Sequence, residues 1–402
     1  MSTNEIKAIE AFKRREKLGL LSIFPVQLIR EVSKVNNCSY KNLIFLPAGK
    51  AQDDILEGIS KSLEKLWLDH YHLDECFRIF SLYKKFEPLL YKDLFYRDHF
   101  IHQYLVFLTG IPIIYKFHQN IKSYLSKVDS ISEDFVDLGK SWLLASTYHD
   151  ISYPIQRMDD WLKAFFVDFL NFELNPITID MTSVLMAKDY LDDLLMLSGF
   201  SYNIYKKFCP VLDQAYIFKL LVEKLHNRNH GVLSSLILLD KYSECFRERR
   251  GDYFRLLLYS QVLPAALAIA LHDSNVWEEE SISKIIFEED PITFILMFCD
   301  TVQEWGRPIV PASIYQPSHI PLMTNYRIDK DKVTITLTYD IVEEITLKNG
   351  ERSSTLELKH DEISSLFSKL KSYSIDFEIV LKSTDSDFGV STYTKSSKST
   401  AS

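Results

Sequence analysis

Chain breakers are scarce in this sequence. Only 11 glycines and 13 prolines are spread over 402 residues, which excludes collagen-like and Gly/Pro-rich low-complexity chains. The five cysteines, Cys38, Cys76, Cys209, Cys245 and Cys299, lie far apart and form no C-x-x-C pair. That spacing argues against a disulfide framework or zinc ribbon and for a reducing cytoplasm. Basic charge is not in excess: 46 Lys and Arg face 55 Asp and Glu, a formal net charge of −9. A nucleic-acid partner is therefore not expected. Long apolar runs are missing too. The greasiest stretch, YLVFLTGIPIIYKF at 104–117, is interrupted by Pro112 and falls short of the ~20 residues of a membrane span. The opening MSTNEIKAIEAFKRREKLGLL carries charges throughout and has no apolar core of the secretory type. A cytoplasmic protein without a membrane segment is expected.

What is plentiful is long apolar side chain. Phe (26) and Tyr (22) stand out, and apolar residues make up 47% of the chain. Few breakers and many large apolar groups favour a mostly helical chain with a sizeable core. Its length allows two or three domains, or one large domain with an appendage. Over 1–325, apolar residues recur at spacings of three and four, as in ILEGISKSLEKLW (55–67), DYFRLLLYSQVLPAALAIAL (252–271) and PITFILMFCDTVQEW (291–305). A short strand is expected at NLIFLPAGK (43–51). Past about 325 the pattern changes. KVTITLTYDI (332–341) alternates with period two, Asn349-Gly350 separates two strand-like runs, and IDFEIVLK (375–382) reads as another strand. His360 is expected to end a strand and Asp361 to cap a helix. A small α+β module at 326–382, docked on the helical part, is expected, followed by a disordered Ser/Thr-rich tail at 383–402.

No phosphate loop, nucleophile elbow or H-E-x-x-H helix is present. Histidine and aspartate remain. Three His-Asp pairs occur, His149-Asp150, His272-Asp273 and His360-Asp361, where composition predicts about one. His149-Asp150 closes an apolar helix in which Leu138, Trp142, Ala145 and His149 share a face. Polar groups at the buried end of a core helix need partners; the plainer reading is a helix-terminal His with a solvated Asp. His99 and His102 lie three apart on one helix side, His226 and His230 four apart. His230-Gly231 opens an apolar helix, His272 ends another, and Asp300 interrupts the run ITFILMFC. Gln303, Glu304 and Arg307 share the face of Asp300. An ion pair would also account for Asp300. Five such segments together suggest a shared centre, since imidazoles with carboxylates are ligands for Mn, Fe, Co, Ni or Mg.

The order His102 … His149-Asp150 … His230 … His272 … Asp300 resembles the H…HD…H…H…D signature of the HD superfamily of metal-dependent phosphohydrolases. Local contexts agree: H-x-x-x-V-x-x-x-G at His102–Gly110, an apolar run before His149-Asp150, H-G at His230-Gly231 and A-I-x-x-H at Ala268–His272. The resemblance spans about 90–310. It implies a helical bundle of the HD type and two divalent ions held by His102, His149, Asp150, His230, His272 and Asp300. Asp150 would bridge the ions, and an activated water would attack a nucleotide or related phosphoester. His149 and Asp150 would be central to catalysis, with His99, His226, Arg228 and Arg307 near substrate or ligands. Two features depart from the family: Ser152 stands where many relatives have glycine, and 80 residues separate Asp150 from His230. That interval could be a lid, a substrate collar or a homo-oligomer interface. No G-Y-P motif of the cyclic-di-GMP group is present. Two alternatives stay open: a one-metal site, and a non-catalytic module that binds a nucleotide or a partner.

Overall fold

The computed structural model describes residues 61, 64, 74–86, 99–125, 138–156, 190–206, 213–245, 258–273, 276, 284–303, 322–339, 344–346, 352–384 and 391–395. The strand expected at 43–51 and the turn at Asn349-Gly350 lie outside them.

Helix α1 covers Asp74–Phe86 and α2 covers His99–Leu125. Pro112 sits inside α2, so the greasy segment is one continuous helix. Proline offers no N–H to the Leu108 carbonyl. Side chains donate to carbonyls on either side of that gap: Trp142 Nε1 to Phe107 at 3.0 Å, and the Tyr326 hydroxyl to Thr109 at 2.5 Å. Next come α3 (Leu138–Tyr148), α4 (Tyr190–Tyr205), α5 (Gln214–His226) and α6 (His230–Cys245). A π-helical turn at Leu258–Val262 leads into α7 (Leu263–Leu271). Every residue of α7 is buried, as an all-apolar helix requires. It packs against α3, α4 and α6, and against α8 (Pro291–Val302), which follows the short strand β1 (Ile285–Ile286). Asp290 caps α8 by accepting from Thr293 N, with Pro291 at its first turn. Among the described residues no helix is long and apolar enough to cross a membrane.

The C-terminal part is a small α+β unit. Its elements are β2 (Leu322–Ile328), β3 (Lys332–Tyr339), β4 (Glu344–Thr346), β5 (Arg352–Ser354), α9 (Thr355–Lys369), β6 (Leu370–Lys371), β7 (Asp376–Ser383) and β8 (Ser391–Lys395). The main sheet has the order β2-β3-β7-β8, with β3 and β7 parallel and both outer pairs antiparallel. β4 and β5 form the expected hairpin pair. Val333, Ile335, Leu337, Phe377, Ile379 and Leu381 are buried on the period-two pattern of half-covered strands.

This unit is tied to the helices at three kinds of contact. Phe377 packs among Phe287, Phe294 and Phe298 at ring-centroid distances of 5.2, 4.6 and 5.2 Å. β6 pairs in parallel with β1. The buried Glu288 carboxylate accepts from Ser372 Oγ, Tyr373 N, Ser374 N and Ser374 Oγ at 2.7–3.1 Å.

Three expectations are corrected. The sheet begins at Leu322, ahead of the change in composition. Part of the tail is ordered: Ser391–Lys395 adds a strand to the edge of β7, because that edge supplies backbone partners that the tail's own side chains could not replace. And α9 starts at Thr355 behind a Ser354/Glu357 capping box, so His360 and Asp361 lie within the helix rather than at its start.

Candidate metal centre

Helix ends converge on one buried place. His99 opens α2 and His102 follows on its first turn. His149 and Asp150 follow α3. His230 opens α6, His272 follows α7, and Asp300 lies in the last turn of α8. The joint between α5 and α6 is a Schellman turn: Arg228 N bonds Leu225 O and Asn229 N bonds Lys224 O, both at 2.9 Å. Arg228 takes the left-handed position there, with φ 56. Asn229 Oδ1 then accepts from Val232 N at 3.0 Å, which starts α6 with His230 facing inward. Ser152 secures the other side, since its hydroxyl donates to the His230 carbonyl at 2.7 Å.

Four imidazoles are held in one orientation. Each Nδ1–H donates outward: His149 to Ser146 O at 2.9 Å, His272 to Ile269 O at 2.6 Å, His102 to Gln303 Oε1, and His230 to both Gln156 Oε1 and Asp273 Oδ2 at 2.9 Å. Their Nε2 atoms therefore face the carboxylates. Asp150 Oδ2 lies 3.3 Å from His149 Nε2 and 3.7 Å from His102 Nε2. Asp150 Oδ1 lies 3.4 Å from His230 Nε2 and 3.7 Å from His272 Nε2. Asp300 Oδ1 is 2.7 Å from His102 Nε2 and 3.5 Å from His149 Nε2. Three sets, His102/His149/Asp150, His149/His272/Asp300 and Asp150/His230/His272, have ligand atoms within 4.8 Å of one another.

Fixing Nδ1–H outward leaves Nε2 as the inward atom, the orientation that metal-ligating histidines take. His149 Nε2 is wholly buried and has no hydrogen-bond partner. A cation would satisfy it, so the residues present fit a metal.

The electrostatics point the same way. Burial opposes charge on His149, yet Asp150 and then Asp300 draw its pKa up to about 10. His230 is raised against the same burial penalty, by Asp273 and Asp150. Burial also opposes ionisation of Asp150, but His149 and His99 hold its carboxyl well below the usual range; His102 and His149 do so for Asp300. Two ionised carboxylates in a buried pocket demand positive charge. Protons on imidazole supply it here, and a divalent cation would serve the same purpose.

The six ligands suggested by the sequence are thus brought together. His99 joins them as a donor, its Nδ1 2.8 Å from Asp150 Oδ2, with the Tyr153 ring tilted against its own at 4.0 Å. Arg228 is buried on the turn before His230. His226 is exposed at the end of α5; the turn at Arg228 breaks the helical spacing that would have aligned it with His230. Arg307 lies outside the described residues. Sequence reasoning missed Gln156, Asp273 and Gln303, which orient histidines. Asp273 had a signal, as the second half of a His-Asp pair, and Gln303 shared the face of Asp300; Gln156 had none. No protein-family model, curated protein or solved structure matches this chain.

Proposed function

We propose that this chain is an HD-type metal-dependent phosphohydrolase acting on a nucleotide or related phosphoester. One observation carries the reading: the two oxygens of Asp150 face two different groups of imidazoles. His102, His149 and Asp300 would hold one divalent ion, His230 and His272 the other, and Asp150 would join them. Mn, Fe, Co, Ni and Mg all suit this donor set. Such ions supply an acidified water near neutral pH and neutralise charge on a phosphoryl group.

The protein's own contribution is position and charge. His99 fixes the plane of the Asp150 carboxylate through Oδ2. Gln303, Gln156 and Asp273 hold imidazoles in one tautomer. The Asp300 and His230 side chains are 26% and 14% exposed, whereas those of His102, His149 and His272 are at most 2% exposed. A phosphoester therefore approaches from the Asp300/His230 side. Arg228, on the turn next to His230, and Arg307, a few residues past Asp300, are the candidates to meet its phosphate oxygens.

The test is metal content and turnover after reconstitution with Mn²⁺ against a nucleotide panel. Two ions per chain and metal-dependent hydrolysis are expected. Asp150→Asn should lose nearly all turnover and both ions, and His230→Ala should keep one ion. Full turnover in Asp150→Asn, or no metal uptake by the intact chain, rejects the reading. Uptake without turnover on any phosphoester favours a binding module.

A further inference from the structure

Cys76 lies in the first turn of α1 and Cys245 is the last residue of α6. Their sulfurs are 4.0 Å apart although 169 residues separate them in sequence. The two thiols differ in surroundings: Cys76 is fully buried, while Cys245 is partly exposed. We propose that Cys76 and Cys245 form a reversible thiol–disulfide site that is oxidised by a peroxide.

The geometry assigns each cysteine a part. Cys245 is the one a solvent-borne oxidant can reach. It also faces the amino end of α1, where unpaired N–H groups favour a negative sulfur. The Cys76 thiol beside it brings its pKa down to about 7 against the effect of burial, and backbone N–H groups of Cys76 and Glu75 add to this. Burial pushes the Cys76 thiol up, so Cys76 keeps its proton. The Cys245 thiolate attacks the peroxide, the O–O bond breaks, and Cys245 becomes a sulfenic acid as water or an alcohol leaves. Cys76 sulfur then attacks the Cys245 sulfur. The S–S bond forms, the S–OH bond breaks, and hydroxide departs as water with the Cys76 proton. Two thiols give up two electrons, and the peroxide takes them. The sulfurs must close from 4.0 Å to a bond of about 2.05 Å, a movement that the terminal residue of α6 can make. None of this depends on a metal at the His/Asp centre.

The experiment treats the full chain with a few equivalents of hydrogen peroxide at neutral pH, followed by alkylation and peptide mass spectrometry. A loss of two hydrogens and a Cys76–Cys245 linked peptide are expected, both reversed by dithiothreitol. Cys245→Ser should abolish the link. Cys76→Ser should leave Cys245 free to oxidise on to the sulfinic acid. Because Cys76 is buried, Cys76→Ala is run beside it, and melting curves identify which variant is folded. The proposal is overturned if the wild-type chain gives Cys245 sulfinic acid without a link. A link to Cys38, Cys209 or Cys299 instead, or no oxidation at all, overturns it as well.

Discussion

Gly231 lies against the Ile269 carbonyl: a β-carbon at position 231 would sit 2.6 Å from that oxygen and 3.2 Å from His272 Nδ1. The same carbonyl accepts the His272 Nδ1–H. This close approach lets the start of α6 and the end of α7 bring His230 and His272 Nε2 within 3.2 Å of each other. Gly231→Ala should cost about 1–3 kcal/mol, the usual penalty of overpacking. It should also weaken metal uptake on the His230/His272 side. Denaturant melts and metal titration of the variant check both effects.

Arg228 occupies a left-handed turn position that suits glycine. Arg228→Gly should therefore relieve about 1 kcal/mol of backbone strain and raise the melting temperature or leave it unchanged. If the guanidinium meets a phosphate, apparent KM should rise severalfold with little change in kcat. Thermal melts and steady-state kinetics on the same preparation separate the two effects.

Asp193, on α4, has its pKa pushed up to about 6 by burial and then by the Asp240 and Asp192 carboxylates. Its folded pKa lies above the unfolded value near 3.9, so the native state binds the extra proton between those values. Stability from this group is present below that window and is lost as pH rises through about 6. Asp193→Asn should thus gain on the wild type between pH 4 and pH 7 and then hold a constant lead. Parallel denaturant melts across that range measure it; parallel curves would rule out the effect.

Truncation after Thr384 removes β8 and bares the outer edge of β7, whose other edge pairs with β3. A lower melting temperature and concentration-dependent association are expected, as for an uncovered sheet edge. Light scattering and calorimetry on the truncated chain test this.

The helical class and the six clustered residues were legible because each polar side chain interrupts or ends an apolar helix. Burying such groups without partners is costly, so the sequence pattern itself implied that they meet. Gln156 gave no comparable signal, since a lone glutamine outside any apolar run looks like any solvated side chain. His226 misled for the opposite reason. Its spacing from His230 is helical, but the left-handed residue between them ends the helix. The tail misled because its side chains were weighed and the hydrogen bonds of the β7 edge could not be. The start of α9 was misplaced because Asp361 is as good a cap by type as Ser354, and only the reciprocal bond with Glu357 decides between them.

The side chains gathered in the His/Asp cluster span 198 residues, from His102 to Asp300. At ordinary rates of synthesis, ~10–40 s separate their emergence from a ribosome. The Glu288 carboxylate comes out before its partners at Ser372–Ser374, which follow 84–86 residues later. His102 and His149 are thus made long before Asp300, whereas His272 precedes it by only 28 residues, and the partners of Glu288 come later still. A nascent chain carries a half-built His/Asp set over the 198 residues from His102 to Asp300, and the C-terminal unit closes over Glu288 only after that.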